Sequence, residues 1–443
     1  MRSRLLVGLL AIPLAMAVIS LWRGSASAAG EETLALTGAT IYPSPKDAPI
    51  ADGVVLIRDG KIAAVGKAGK VRIPAGAKKL SCTGLFITAG FQNSHVHFTE
   101  QKWDGAAQQP AGKLAQQLAD MLTRYGFTSV VDTASTLTNT VALRARIESG
   151  EVPGPRIRTA GLPLYAAHGT PFYLKGAVPP DVISFIETNL EPTEPDAAVA
   201  VVKQDIEGGA DVIKLFTGSL ASPTDVVPMD QRVATAAAAE AHAHGKLVFA
   251  HPSNVEGLEI ALNAGVDVAA HTTPASGKWD DGLIAKMKEQ HMSLVPTLKL
   301  WIYEAGKAGA TAEQAQNFAD SGVGELRQYE RAGGQILFGT DVGYMTEYDP
   351  TEEYVLMARA GLTSMQILDS LTTAPAARFG ESQSHGRVSP GLAADVVVLG
   401  ADPAKDVRNF ANVRYTIRNG RVIYPAVGQL GRASRHFRRA VNT

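Results

Sequence analysis

The sequence contains very little cysteine. Cys82 is the single cysteine among 443 residues, which excludes an internal disulfide and any zinc site built from several thiolates. We therefore expect Cys82 to be an ordinary buried thiol. An excess of charge is also missing, since the net charge is −1 and the body of the chain has no long basic run. Affinity for nucleic acids depends largely on neutralising phosphates, so a nucleic-acid-binding function is disfavoured.

A long apolar run of membrane-spanning type is found at the N-terminus and nowhere else. Arg2 and Arg4 precede an apolar stretch over residues 5–19, which is followed by small residues that include Ala26-Ser27-Ala28. This pattern predicts a secretory signal peptide over residues 1–28, with an uncleaved membrane anchor as the alternative. A cysteine-poor exported protein is typical of a bacterial periplasm, so we expect a secreted or periplasmic location.

Short apolar segments with the spacing of strands occur near both ends of the chain. Asp59-Gly60 between two of them is a typical hairpin turn. Together they predict one small β-sandwich domain, built from residues 29–84 and 381–425. The predicted strands cover residues 34–37, 53–57, 61–65, 395–399, 415–418 and 421–424. The basic stretch beyond them predicts a solvated tail over residues 426–443.

The middle of the chain alternates strands and helices. Eight strands alternating with helices over residues 85–380 predict an α/β fold of the (β/α)8 TIM-barrel type. A doubly wound open sheet is the alternative, but the sequence has no glycine-rich phosphate loop to support it. Long loops at 217–230 and 341–351 are candidate lids.

Two histidines stand at the end of the first predicted strand. We interpret the apolar run Leu85-Phe86-Ile87-Thr88 as the buried strand that delivers the polar segment from Asn93 to His97. Successive side chains on a strand point to opposite faces, so His95 and His97 share a face. Two neighbouring imidazoles can bind one metal ion.

Further ligand-type residues stand at the ends of other predicted strands. They are Lys214 in the fourth strand, His251 and His271 after the fifth and sixth, and Asp341 after the eighth. Taken singly, each histidine could be a hydrogen-bonded histidine, Asp341 a loop or helix cap, and Lys214 the partner of a carboxylate. Active sites of barrel enzymes lie at the carboxyl ends of the strands, so their joint occurrence there indicates a metal site.

The other histidines considered have no such position. His242 and His244 lie two apart on a predicted helix and do not share a face, while His291 and His436 lie away from strand ends. We assign these four histidines no role.

These motifs resemble the amidohydrolase superfamily, and within it the imidazolonepropionase-like and prolidase-like branch. The resemblance covers residues 33 to 425. The matching segments are Ile87-Thr88-Ala89-Gly90-Phe91, Asn93-Ser94-His95-Val96-His97, Val212-Ile213-Lys214, His251, His271, Gly339-Thr340-Asp341 and the stretch from Val388 to Leu399.

The resemblance implies a binuclear metal centre. His95, His97 and Asp341 would hold one divalent ion, and His251 and His271 would hold the second. Zinc suits these ligands, with manganese, iron and cobalt as alternatives. CO2 would carboxylate Lys214, and the carbamate would bridge both ions. This lysine argues against imidazolonepropionase activity, because that enzyme resembles a one-metal subtype without the bridge.

The implied reaction is hydrolysis by a hydroxide shared between the two metal ions. Asp341 would act as general base and then as general acid toward the leaving amine. We expect a small-molecule or dipeptide-like substrate cut at an amide or peptide C–N bond, as in a dipeptidase, a carboxypeptidase or an N-acyl amino acid amidase. A lactonase or phosphotriesterase is the alternative on the same site. A non-catalytic periplasmic binding protein is a third hypothesis, which the complete ligand set disfavours.

Substrate contacts are expected in the loops at the same end of the barrel. His168, in a loop after the third strand, could touch the scissile group or a substrate carboxylate, or be a surface histidine. Tyr344 is a second candidate, and Lys299 and Trp301 after the seventh strand are weaker ones. The sequence leaves open whether the chain forms a homo-oligomer.

Overall fold

A computed structural model describes residues 33–425 of the chain. The predicted signal peptide over residues 1–28 and the predicted tail over 426–443 lie outside the described residues. Among the helices of residues 33–425, none is both long and apolar enough to cross a membrane.

Strands and short helices alternate through most of the described chain. In chain order the strands are β1 (Thr33–Ile41), β2 (Ile50–Arg58), β3 (Lys61–Lys67), β4 (Lys78–Ser81), β5 (Phe86–Ala89), β6 (Phe91–Val96), β7 (Phe127–Asp132), β8 (Arg156–Thr159), β9 (Val212–Phe216), β10 (Gly218–Leu220), β11 (Val226–Pro228), β12 (Leu247–His251), β13 (Val268–Ala270), β14 (Ser293–Val295), β15 (Gln335–Ile336), β16 (Val396–Leu399), β17 (Val413–Arg418) and β18 (Arg421–Tyr424).

The α-helices lie mainly between the strands of the middle segment. They are α1 (Ala111–Met121), α2 (Leu137–Glu148), α3 (Pro180–Asn189), α4 (Pro195–Glu207), α5 (Gln231–Ala243), α6 (Val255–Asn263), α7 (Asp281–Glu289), α8 (Leu298–Lys307), α9 (Ala312–Arg331), α10 (Thr351–Arg359), α11 (Ser364–Leu371) and α12 (Thr373–Arg378). Short 3-10 helices cover Gln101–Trp103, Thr123–Tyr125, Pro274–Ser276 and Val407–Ala411.

Strands from both ends of the described chain share one sheet. Its order is β18-β17-β16-β5-β1-β2-β3, with β4 paired to β1. Asp59 and Gly60, both with positive φ, form the tight turn between β2 and β3. Cys82 is fully buried in the apolar core of this sheet, as expected. The sandwich arrangement and the domain boundaries at 84 and 381 stay predictions.

The apolar run before the histidines was interpreted wrongly as the strand that carries them. It forms β5, which pairs with β1 and β16 in the terminal sheet. The chain then passes Gly90, where a Cβ would lie 2.3 Å from Oγ1 of Thr128, and begins the separate strand β6. The histidines are therefore placed by β6, directly after this crossing between sheets.

Eight parallel strands of the middle segment form two sheets. One has the order β6-β7-β8 and the other β15-β14-β13-β12-β9. Backbone hydrogen bonds connect the two sheets at both pairs of edges. After β8, the Leu164 N donates to the Lys214 carbonyl of β9 at 3.0 Å, and the Ser94 N of β6 donates to the Phe338 carbonyl, after β15, at 2.7 Å. The carboxyl ends of all eight strands therefore lie on one side, where the candidate ligands stand.

Several elements differ from the sequence-based expectations. Helices α2, α3, α8, α10, α11 and α12 were not predicted. The sequence pattern predicts a helix only over residues 325–332, whereas α9 begins at Ala312. The predicted loop at 217–230 contains the hairpin of β10 and β11. Helix α8 follows directly after β14 and brings Trp301 toward the candidate metal site.

Candidate metal centre

His95, His97 and Asp341 meet at the end of β6. Their ligand atoms all lie within 4.8 Å of one another, and the three residues are buried. Nε2 of His95 lies 3.2 Å from Nε2 of His97 and 3.4 Å from Oδ1 of Asp341. Nε2 of His97 lies 2.7 Å from the same oxygen. Two ligands bound tetrahedrally at zinc distances are about 3.3 Å apart, so the triad has the dimensions of a metal site.

The hydrogen bond made by Nδ1 of His97 supports this assignment. Its Nδ1 lies 3.0 Å from the carbonyl oxygen of Ala134, and a carbonyl can only accept, so Nδ1 carries the hydrogen. In a neutral ring, the lone pair of Nε2 then points toward the carboxylate. Oδ1 of Asp341 is buried without a hydrogen-bond partner among the described residues. The lone pair of Nε2 and the carboxylate oxygen repel each other, and a cation bound between them would remove this repulsion. The residues therefore fit a metal ion.

His251 and His271 lie beside the triad. The ring centroid of His271 is 4.6 Å from that of His95 and 4.6 Å from that of His251. Burial lowers the pKa of all three imidazoles well below 6.5, and nearby Lys214 contributes in each case. The rings are therefore neutral near pH 7, which is the form that binds metals.

Hydrogen bonds that the rings of His271 and His251 donate to two hydroxyl groups determine which nitrogen of each ring is left free. The Thr297 hydroxyl donates to the Pro296 carbonyl and lies 2.6 Å from Nδ1 of His271. It therefore accepts from Nδ1 and leaves Nε2 free. The Ser253 hydroxyl donates to the Gly218 carbonyl and lies 3.0 Å from Nε2 of His251. The same reasoning leaves Nδ1 of His251 free to bind a metal.

Lys214 is buried in the middle of β9, with 2% of its surface exposed. Burial lowers its pKa from 10.5 to about 7, against the opposing effect of the Asp341 carboxylate. Its Nζ lies 5.7 Å from the ring centroid of Phe216, which stacks on His251. Near pH 7 a large fraction of this amine is therefore neutral.

Asp132, at the end of β7, was missed by the sequence reasoning. It is fully buried, and it accepts hydrogen bonds from Ser135 at 2.6 Å and from Thr159 at 2.8 Å. These bonds fix the loop whose Ala134 carbonyl accepts a hydrogen bond from Nδ1 of His97. Asp132 therefore orients the candidate ligand His97 through its neighbours. A carboxylate at a strand end, after Val130 and Val131, was the available signal.

The predicted substrate contacts have different outcomes. The His168 backbone N donates to Glu191 at 2.7 Å, and its side chain borders a cleft of about 370 Å³ with Thr170 and Lys175. Nζ of Lys299 donates to the carbonyl oxygens of Glu347 and Asp349 at 2.9 and 3.0 Å, and its contact with a substrate stays a prediction.

Two of the predicted contacts do lie beside the ligands. Tyr344 follows Asp341 in a turn in which the Met345 N donates to the Asp341 carbonyl at 3.1 Å. The Trp301 ring lies 6.1 Å from that of His271. Their contact with a substrate stays a prediction.

Other histidines lie apart from the ligand cluster. Nε2 of His242 is 2.8 Å from Asp267 and Nε2 of His244 is 2.9 Å from Glu240, both near the protein surface. His385 was overlooked in the sequence. Its Nδ1 lies 2.8 Å from the hydroxyl oxygen of Ser384, in a group of charged side chains near the terminal sheet.

Comparison with known proteins decides the family. The sequence profile of the Amidohydrolase family matches residues 86–423. The chain belongs to the amidohydrolase family. A comparison with curated protein sequences gives no significant match.

Solved structures similar to this amidohydrolase include prolidase-type proteins. A candidate prolidase from Bifidobacterium longum shares 26% identity, with 89% of this chain and 95% of that chain covered and a TM-score of 0.73. A Xaa-Pro dipeptidase with bound methionine in its active site shares 22% identity, with coverages of 88% and 99% and a TM-score of 0.74. Phenylurea hydrolase B shares 20% identity, with coverages of 88% and 96% and a TM-score of 0.72.

The family assignment confirms the coarse prediction. This amidohydrolase is a metal-dependent hydrolase that acts on C–N bonds, and it is similar to prolidase-type proteins. Its relatives imply a TIM barrel with an additional domain, which the α/β content of residues 33–425 fits. The metal triad fits the metal dependence of the family.

Proposed function

We propose that this amidohydrolase cleaves an amide or peptide C–N bond of a small substrate, as a dipeptidase, a carboxypeptidase or an N-acyl amino acid amidase. The observation that carries the proposal is the convergence of neutral imidazoles and a buried carboxylate at the strand ends. The dipeptidase and the phenylurea hydrolase among the similar structures support a substrate of this size.

The proposed centre holds two divalent metal ions, with zinc as our choice. His95, His97 and Asp341 would bind the first ion. His251, through Nδ1, and His271, through Nε2, would bind the second. When bound, the ions would supply a Lewis acid and a water nucleophile that is deprotonated at neutral pH.

Lys214 is proposed to bridge the two ions as a CO2-derived carbamate. The support is its burial and its pKa of about 7, because the neutral amine is the form that adds to CO2. A buried ammonium would repel both cations, whereas a carbamate offers each of them an anionic oxygen. The lysine therefore fits the centre after this modification.

Asp341 is proposed to move the proton. Its carboxylate faces both His95 and His97 and is 4% exposed, so it is shielded from bulk water. It would accept a proton from the attacking water and deliver it to the leaving amine nitrogen. This role requires one oxygen of Asp341 to be free of the metal, and Oδ2 is the candidate.

A substrate screen tests the reaction class. Purified protein supplied with zinc is assayed on dipeptides, N-acyl amino acids, lactones and phosphotriesters, with Asp341→Asn as the matched control. We expect turnover of dipeptides or N-acyl amino acids by the wild type and none by the variant. Turnover confined to lactones or phosphotriesters would refute the C–N specificity.

We further propose that the eight parallel strands close into a (β/α)8 barrel.

Residues 1–28 are proposed to export the protein to the periplasm. Sequencing the N-terminus of protein from a periplasmic fraction tests the export: we expect it at Ala29, and an intact Met1 would refute cleavage.

A further inference from the structure

Aromatic residues make up 6% of the sequence, yet several of them border the metal ligands. The Phe216 ring stacks on that of His251 with centroids 4.4 Å apart, and Tyr165 packs against Phe216 at 4.7 Å. The Trp301 ring lies 6.1 Å from that of His271. One side of the metal centre is therefore lined by rings.

A second group of rings lies beside Asp341. The centroid of Tyr344 is 5.6 Å from that of Tyr173 and 6.2 Å from that of Tyr303. Burial is the main cause that raises the pKa of Tyr173 and Tyr344, and the Asp341 carboxylate adds to it in both cases. Both phenols therefore lie within electrostatic reach of a proposed metal ligand.

Helix α8, which carries Trp301, is fixed at its N-terminus. Glu353, from α10, accepts hydrogen bonds from the backbone N of Leu298 at 2.9 Å and of Lys299 at 2.8 Å. The indole Nε1 of Trp301 donates to Oγ1 of Thr272 at 2.8 Å. The indole is thus held in one orientation, and its polar group is already satisfied.

Tyr344 is held in a similar way. Its hydroxyl donates to Oε1 of Glu304 at 2.8 Å, and Nζ of Lys307 donates to the tyrosine oxygen at 3.0 Å. The hydroxyl has both of its roles filled, and Nζ of Lys307 also lies 4.8 Å from the centroid of the Tyr344 ring, so the ring is held in one orientation. Fixed rings lose little conformational entropy when a ligand packs on them.

We propose that Tyr173, Phe216, Trp301, Tyr303 and Tyr344 form an aromatic cleft that selects substrates with an aromatic group beside the scissile C–N bond. Rings pack well edge-to-face against such a group, whereas a hydrogen or methyl side chain would bury far less apolar area against them. The inference rests on the proposed function, because it assumes that the bond is cut at the metal centre.

Matched dipeptides test the selection. For the zinc-loaded wild type we compare kcat/KM for Gly-Phe with Gly-Ala, and for Phe-Gly with Ala-Gly. Burial of a phenylalanine side chain removes more apolar surface from water than burial of a hydrogen or methyl side chain. We therefore expect kcat/KM to be about 10- to 100-fold higher for the aromatic peptide in one pair. Equal rates within both pairs would overturn the cleft while leaving the hydrolase intact.

Variants assign the preference to the cleft. Tyr173→Ala should reduce the ratio of kcat/KM between the aromatic and the alanine peptide about tenfold, and Tyr173→Phe should retain that ratio. Phe185→Ala is the matched control, since Phe185 is 49% exposed on α3. An unchanged preference in Tyr173→Ala, or an equal loss in Phe185→Ala, would contradict the assignment.

Binding keeps the test independent of turnover. Calorimetry on the zinc-loaded Asp341→Asn variant compares N-acetylphenylalanine with N-acetylalanine. Tighter binding of the phenylalanine compound supports the cleft even if no dipeptide is cut, in which case the proposed peptidase function alone fails. Equal binding of the two compounds would refute the cleft.

Discussion

Replacing Lys214 by methionine should stabilise the metal-free protein while it abolishes hydrolysis. Lys214 is 2% exposed, and burial lowers its pKa from 10.5 to about 7. Each pKa unit corresponds to about 1.4 kcal/mol, so the charged amine disfavours the folded state by about 5 kcal/mol at acidic pH. Methionine fills a similar volume without charge and removes this cost.

The sign of the pH dependence follows from the same values. Below pH 7 the amine is charged in both the folded and the unfolded states, and the full cost is present. Between about pH 7 and 10.5 the unfolded state binds the extra proton, so the stability of the wild type rises with pH. The methionine variant lacks this contribution, and its advantage should disappear toward pH 10.5.

Urea unfolding of chelator-treated protein at pH 6 and pH 9 measures the effect. Buried acids such as Glu325, whose pKa burial raises to about 8, titrate in both proteins, so the difference between the two isolates Lys214. We expect Lys214→Met to gain several kcal/mol at pH 6 and less at pH 9. A variant that is less stable at pH 6, or equally shifted at both pH values, would refute the reasoning.

Four further changes test the site. Asp341→Asn should abolish turnover and keep the circular dichroism spectrum; normal kcat would remove its proton-transfer role. Asp132→Ala should weaken metal binding about 10- to 100-fold in a chelator competition, because it frees the loop that orients His97. Thr297→Val should weaken metal binding about tenfold by removing the hydroxyl that fixes the His271 imidazole. Unchanged metal affinity in either variant would contradict these roles. Gly343→Ala should lower the unfolding midpoint by several degrees, since its Cβ would lie 1.8 Å from the His97 carbonyl oxygen at a φ of +99°; an unchanged midpoint would contradict that clash.

The sequence was informative where chemistry is tied to strand ends. His251, His271 and Asp341 each follow an apolar run, and the ends of parallel strands meet in space, so their proximity could be predicted. The same rule should have included Asp132. Asp132 was missed because a single aspartate after a strand is more commonly a loop or helix cap.

Long-range contacts could not be predicted from one sequence. Helix α8 lacks a local N-terminal cap, and its first backbone groups are satisfied by Glu353 from another helix. The pairing of Tyr173 with Tyr344 likewise joins two distant loops. By contrast, the start of α9 had a readable signal, the capping box of Thr311 and Gln314.

The metal content of purified protein tests the central claim most directly. The account predicts about two equivalents of divalent metal per chain in the wild type. It predicts about one in Lys214→Met, where the triad of His95, His97 and Asp341 remains. Consistently one equivalent or none in the wild type would contradict the two-metal centre.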